Sequence, residues 1–196
     1  MEGLGVNRRT LLARALLLVG ASVTAVPFEA LVAADADLLT QAQRSALVAA
    51  ADTIMPQTDT AGAVDVGVPA LFEGLLANWA APATVTALQS VLDRIDALPG
   101  GDRHFAALHP TERKSVLQAF DAAALAPSDA PRADPFGPPA VANPDYQKFK
   151  ELVLTLYYLS QPALTQELAY THVPGRWEPS VPVTPATRPQ GGPGMF

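Results

Sequence analysis

Cysteine is absent from this sequence. That excludes disulfides, thiolate zinc sites, iron–sulfur ligation, covalent c-type haem attachment and a lipidated cysteine anchor within the chain. Histidine is scarce: His104, His109 and His172 are the three present, none paired at metal-ligand helical spacing, and no HExxH motif occurs. Positive charge is in deficit, with 13 basic against 19 acidic residues and a net charge of −6. From Asp37 onward ten basic and sixteen acidic residues leave the same −6. Nucleic acid is therefore not an expected partner, because phosphate binding needs a basic face. Beyond the first thirty-odd residues no segment approaches the ~20 consecutive apolar residues of a membrane span. GxSxG and GxGxxG are also missing, which removes the hydrolase elbow and the dinucleotide fingerprint.

What is present begins at the N-terminus. Asn7-Arg8-Arg9-Thr10-Leu11-Leu12 carries an arginine pair, Ala15 to Phe28 is uncharged, and small residues follow around Val23-Thr24-Ala25 and Ala34-Asp35-Ala36. A basic start, a short apolar run and a small-residue end make an export signal, and the Arg8-Arg9 pair specifies the twin-arginine type. That route generally carries passengers already folded, often around a cofactor. Removing a signal region of 1–36 leaves about 160 residues, enough for one domain with its own core.

The remainder is rich in alanine and leucine and poor in β-branched alternation, which predicts an all-α fold, a small irregular bundle of about five helices. Helix one follows Thr40 as N-cap and runs to about Met55, where Pro56 stops it. Helix two runs from Pro69 to about Trp79 with Leu71, Leu75 and Leu76 inward. Helix three spans roughly Ala83 to Leu98 on Val85, Leu88, Leu92 and Ile95, with Asp93, Arg94 and Asp96 expected in solvent. Helix four runs from about Pro110 to Leu125. A proline-rich loop from Ala126 to Pro144 follows, of a length that is usually functional or docked. Helix five opens with Asn143 as cap and Pro144 at N1. It carries Phe149, Leu152, Val153, Leu156 and Leu159 and is expected at the centre of the core. Leu164 to Tyr170 is expected as a last short helix. The helical domain is bounded at 37–177. Residues 178–196 form a Pro/Gly-rich extended tail that buries little against its own domain.

No residue set has the spacing of a catalytic, cofactor-binding or metal site. His109 precedes Pro110, where a polar side chain can cap a helix. Asp52, Asp59 and Asp65 offer oxygen ligands of the kind calcium takes, but they match no EF-hand loop and suit turns equally well. Tyr157, Tyr158, Tyr170 and Trp177 could stack on a ligand or partner, with a core role for Tyr157 and an interface or rim role for Trp177 as the plainer alternative.

Two stretches carry a resemblance. One is Ala51-Asp52-Thr53-Ile54-Met55-Pro56-Gln57-Thr58-Asp59-Thr60-Ala61-Gly62-Ala63 followed by Gly67-Val68-Pro69. The other is Leu152 to Ser160 followed by Tyr170-Thr171-His172-Val173-Pro174-Gly175-Arg176-Trp177. Together they resemble the gluconate 2-dehydrogenase subunit 3 family over about Leu38 to Trp177. Ala61, Tyr158-Leu159 and Gln161-Pro162 depart from the family's usual pattern. The resemblance implies a non-catalytic small subunit that binds, stabilises and escorts a large FAD-containing dehydrogenase of the glucose–methanol–choline type. Such enzymes act on sugars, sugar acids, polyols or glycosides, and many of the complexes add a multihaem cytochrome c subunit. FAD, and haem c where that subunit joins, then lie in other chains. The implied location is the periplasm, at the outer face of the cytoplasmic membrane, with membrane association indirect or through an uncleaved signal. The residues expected to meet the partner are Thr58, Asp59, Tyr170, Pro174, Gly175 and Trp177. The rival readings are a free-standing periplasmic interaction or ligand-binding module and a stand-alone enzyme.

Overall fold

A computed structural model describes residues 38–130, 139–170, 180, 182–184, 186–188 and 190–191. Arg8, Arg9, Pro174, Gly175 and Trp177 lie outside the described residues, as does His172. Five α-helices follow in order: α1 Gln41–Ile54, α2 Val68–Trp79, α3 Pro82–Asp96, α4 Pro110–Ala124 and α5 Pro144–Tyr158. A short 3-10 turn, Phe105–Ala107, joins α3 to α4. The all-α bundle expected from composition is what forms.

Each helix start has a local chemical cause. Thr40 accepts the backbone N–H of Gln43 at 3.2 Å while Gln43 Oε1 accepts the backbone N–H of Thr40 at 3.0 Å, a reciprocal capping box. Asn143 Oδ1 accepts from the N–H of Tyr146 at 3.1 Å. The other three α-helices begin with proline at the first or second position, where the missing N–H has no intrahelical use. Pro82, one residue before the expected start of the third helix, opens it.

The core is organised by α5, which packs against the other four α-helices. Tyr146, Phe149, Leu152, Val153, Leu156 and Tyr157 all point inward, and the first five are 0% exposed. Phe149 meets Phe72 edge-on at 5.6 Å, and Tyr146 meets Phe120 at 4.7 Å, the offset geometry aromatic rings prefer. Opposite, α1 contributes Ala46, Ala49, Ala50 and Ala51, all buried. Small side chains here let α3 approach α1 closely.

Two expectations need correction. Asp96 is not a solvated helix residue. Its Oδ1 accepts the N–H of Phe105 at 3.2 Å and its Oδ2 pairs with His104 Nδ1 at 2.7 Å, so it anchors the 3-10 turn. The segment after α5 is not a short helix ending at Tyr170. It is a π-turn, Ala163–Glu167, leading to extended Ala169–Tyr170. The wider turn places Ala163 and Leu168, five residues apart, on one buried face. The tail is extended as expected, and its described residues Gln190–Gly191 pair in parallel with Ala169–Tyr170. Its described residues between 180 and 188 are nevertheless exposed. The described ends of the proline-rich loop are zipped together by an antiparallel bridge between Pro127 and Val141.

Candidate functional site

The segment between α1 and α2 is the most heavily bonded connection among the described residues. Pro56 prevents α1 from continuing, and Met55 leaves the helix at φ −129°. The chain then doubles back. Ala63 N–H donates to Met55 O at 2.8 Å, Val68 N–H to Ala63 O at 2.9 Å, and Gly67 N–H to Val64 O at 3.0 Å. Asp65 Oδ2 accepts the N–H of Gly62 at 2.9 Å. Gly67, at φ 78°, turns the chain into α2 through a backbone region that L side chains avoid.

Gly62 is required for a different reason. A Cβ there would lie 2.5 Å from Gln57 N, 2.9 Å from Pro56 C and 3.0 Å from Met55 O. The two limbs of the loop therefore pass at backbone contact, and only hydrogen fits between them.

Two long-range bonds fasten this loop to the end of α5 and to the turn that follows it. Tyr157 Oη donates to Ala61 O at 2.9 Å. Thr60 Oγ1 donates to Glu167 Oε2 at 2.6 Å, a charge-assisted bond spanning 107 positions of sequence. Burial raises the pKa of the Tyr157 phenol, the Glu167 carboxylate adding to the effect while a bond to Thr60 opposes it. Burial also raises Tyr158, again with Glu167 contributing. Both phenols are thus neutral hydrogen-bonding groups at pH 7.

The outcome is a loop with a buried inner limb, Thr60, Gly62 and Ala63, and an exposed tip, Pro56 to Asp59. Thr58 and Asp59, two of the expected contact residues, both lie on that tip, joined by a Thr58 Oγ1 to Asp59 Oδ1 bond of 3.2 Å. The Asp59 side chain is 84% exposed, and Arg188 of the tail approaches it only to 4.0 Å. That is an exposed ion pair of little energetic weight. Tyr170, a third expected residue, follows the Glu167 turn and holds Gly191 through backbone pairing, so it belongs to the same end of the molecule. A groove of about 380 Å³ opens beside Pro56 between α1, α4 and α5, where Tyr146 Oη and Lys150 Nζ both bond Asp121 Oδ1, at 3.1 and 2.6 Å.

The remaining candidates disperse. Asp52 pairs with Arg113 at 3.4 Å, Asp59 sits at the tip and Asp65 caps Gly62. Three separate tasks leave no shared calcium cage, and no group of three metal-ligating side chains occurs among the described residues. His109 is the N-cap residue of α4, but its ring bonds the Thr111 hydroxyl at 3.1 Å and not a helix N–H. Glu167 escaped sequence reasoning altogether, because nothing local marks a glutamate whose partner is so far away in the chain.

A family model described as gluconate 2-dehydrogenase subunit 3 matches residues 41–175. Neither a curated protein nor a solved structure matches the chain. The matched span begins at the first residue of α1 and takes in the whole bonded loop, its α5 anchors and the turn that bears Glu167.

Proposed function

This chain belongs to the gluconate 2-dehydrogenase subunit 3 family, and from that membership we propose that it is a non-catalytic small subunit that binds and stabilises a FAD-containing catalytic subunit of the glucose–methanol–choline type. The observation that carries the proposal is the loop between α1 and α2. Its inner limb is locked by backbone bonds, by Tyr157 and by Glu167, while its polar tip is held out in solvent with little to do for the fold. Structure invested in displaying a surface suits recognition of another polypeptide.

The two chains travel together to the periplasm on the twin-arginine signal, so the flavoprotein can load FAD before crossing. FAD stays in that partner, and haem c in a multihaem cytochrome c subunit where one joins. The substrate, a sugar, sugar acid, polyol or glycoside, is then bound in the partner's pocket. Aromatic anchors are expected from Tyr170 and Trp177, since such side chains dominate stable contacts.

Co-expression tests this. The flavoprotein produced with the wild-type chain should reach the periplasm loaded with FAD. With Arg8→Lys and Arg9→Lys together, both chains should remain in the cytosol. Equal flavoprotein yield, FAD content and export with and without this chain would refute the proposal.

A further inference from the structure

A second surface lies on the outward face of α1. Gln41, Arg44, Ser45 and Val48 recur at i, i+3, i+4 and i+7 and therefore share one stripe. They line a groove of about 310 Å³ together with Ala49, Ala106 of the 3-10 turn and Arg113 of α4. Two features separate this groove from ordinary surface. First, its lining includes two guanidinium groups and no carboxylate, the acidic partners Glu73 and Asp52 lying outside it, in a chain whose net charge is −6. Second, Arg113 is under-used. Its side chain is only 15% exposed, its Nε is buried without a partner, and its bond is Nη2 to Asp52 Oδ2 at 3.4 Å. Charge-assisted bonds normally close to about 2.7–2.9 Å. A guanidinium this far removed from water, with its Nε unfilled and its one ion pair long, is costly to maintain unless something completes it. The floor is apolar: Val48, 41% exposed, is among the few large hydrophobic side chains that the described residues leave in solvent.

We propose that this groove docks an acidic side chain of the dehydrogenase catalytic subunit, its carboxylate seated at Arg113 with Arg44 alongside, and a neighbouring small apolar residue resting on Val48, Ala49 and Ala106. The occupant follows from complementarity. A planar fork of N–H donors matches a carboxylate, and an arginine beside an apolar floor is the composition typical of a binding centre. Arg44 is already held by Glu73 at 3.0 Å, which fixes the second positive charge in place before the partner arrives. This inference rests on the proposal that the chain docks a catalytic subunit, and the test separates the two.

The affinity of the full chain for the catalytic subunit of its own complex is measured by biolayer interferometry for wild type, Arg113→Glu and Val48→Asp. Both variants should weaken binding at least about thirty-fold, as expected when one partner of a desolvated charge pair is lost or a like charge is introduced. Raising the salt concentration should weaken wild type more than Arg113→Glu. Val48→Asp breaks no hydrogen bond or ion pair of the fold, so it reads the groove even if loss of the Asp52 pair destabilises Arg113→Glu. Wild type failing to bind at all would refute the docking-subunit proposal itself. Wild type binding while either folded variant binds within twofold of it would overturn the groove assignment alone. Capture of wild type by phosphatidylglycerol vesicles, abolished in Arg113→Glu with subunit affinity unchanged, would assign the groove to lipid and equally overturn it.

Discussion

Replacing Gly62 with alanine separates the close packing of the loop between α1 and α2 from its backbone conformation. The new methyl would meet three backbone atoms of Met55, Pro56 and Gln57 at 2.5–3.0 Å. None of these is the end of a flexible side chain. The Met55 carbonyl is itself fixed by the 2.8 Å bond from Ala63, so relief requires the two limbs to part by roughly 0.5–1 Å, which strains that bond and the Tyr157 to Ala61 bond. Overpacking of a rigid site costs about 1–3 kcal/mol, and this case belongs at the upper end. Reduced freedom of the unfolded chain returns about 0.4–1 kcal/mol, leaving a net loss near 2 kcal/mol. In a domain of this size that lowers the melting temperature by about 4–8 °C. Gly67→Ala is the control. It has nothing within 4 Å of its added Cβ but a φ of +78°, so it carries only the left-handed penalty of about 1 kcal/mol. Calorimetry on the two variants decides the matter. A Gly62→Ala melting point within 1 °C of wild type, or one above that of Gly67→Ala, would refute the close-passage reasoning.

Tyr157→Phe leaves the Ala61 carbonyl without its donor and should cost about 1–2 kcal/mol in urea denaturation, whereas Glu167→Gln should cost less because an amide oxygen still accepts from Thr60. The buried Tyr146 phenol has its pKa raised, first by burial and then by Asp121. The folded state therefore holds that proton more tightly than the unfolded one, so the contribution is complete below the ordinary value of 10.0 and is lost as pH rises above it. Stability should fall above that pH by up to about 1.4 kcal/mol per pH unit for this group, and urea midpoints for Tyr146→Phe should show a shallower decline. Trp177→Ala should weaken association with the catalytic subunit by about 2 kcal/mol or more if the residue is a buried anchor. A loss under about 0.5 kcal/mol in a titration would move Trp177 to the rim.

The helices were legible because their signals are local. Thr40 with Gln43, Pro82, Pro110, and Asn143 with Pro144 each act within one turn of the residue that needs them. The inward stripe of α5 repeats at helical spacing. What escaped depends on groups far apart in sequence. Asp96 resembles any polar residue at a helix end until Phe105 and His104 fold onto it. Thr60 and Glu167 have no common local context. The widened turn at Ala163–Glu167 answers to burial of Leu168 and reach toward Thr60, neither of which a periodicity written for α-helices can express. In sequence, Gly62 is one glycine of the loop with nothing local to single it out. Gly67 has the positive φ of a turn glycine, but Gly62 is held by a contact between two stretches of backbone that only the folded chain brings together.

The two surfaces have different physical consequences for association. The loop between α1 and α2 is ordered by contacts within its own domain, so a partner meeting Pro56 to Asp59 needs to restrain little beyond side chains. That removes a cost of about 0.5–1.5 kcal/mol for each rotamer-rich side chain that would otherwise have to be fixed. Contacts of this kind, made after encounter, chiefly slow dissociation. The proposed Arg44–Arg113 groove would act earlier, because its two guanidinium groups, though paired with Glu73 and Asp52, would orient an approaching carboxylate before any apolar surface is covered. Val48 of α1 lies seven residues before Met55, the residue that ends the helix, a rise of roughly 10 Å, while a standard interface of about 800 Å² per partner is roughly 30 Å across. Along the helix axis, one catalytic subunit can therefore reach both, and α1, buried on its alanine face and presented on its arginine face, is the rigid element that keeps them at a fixed spacing.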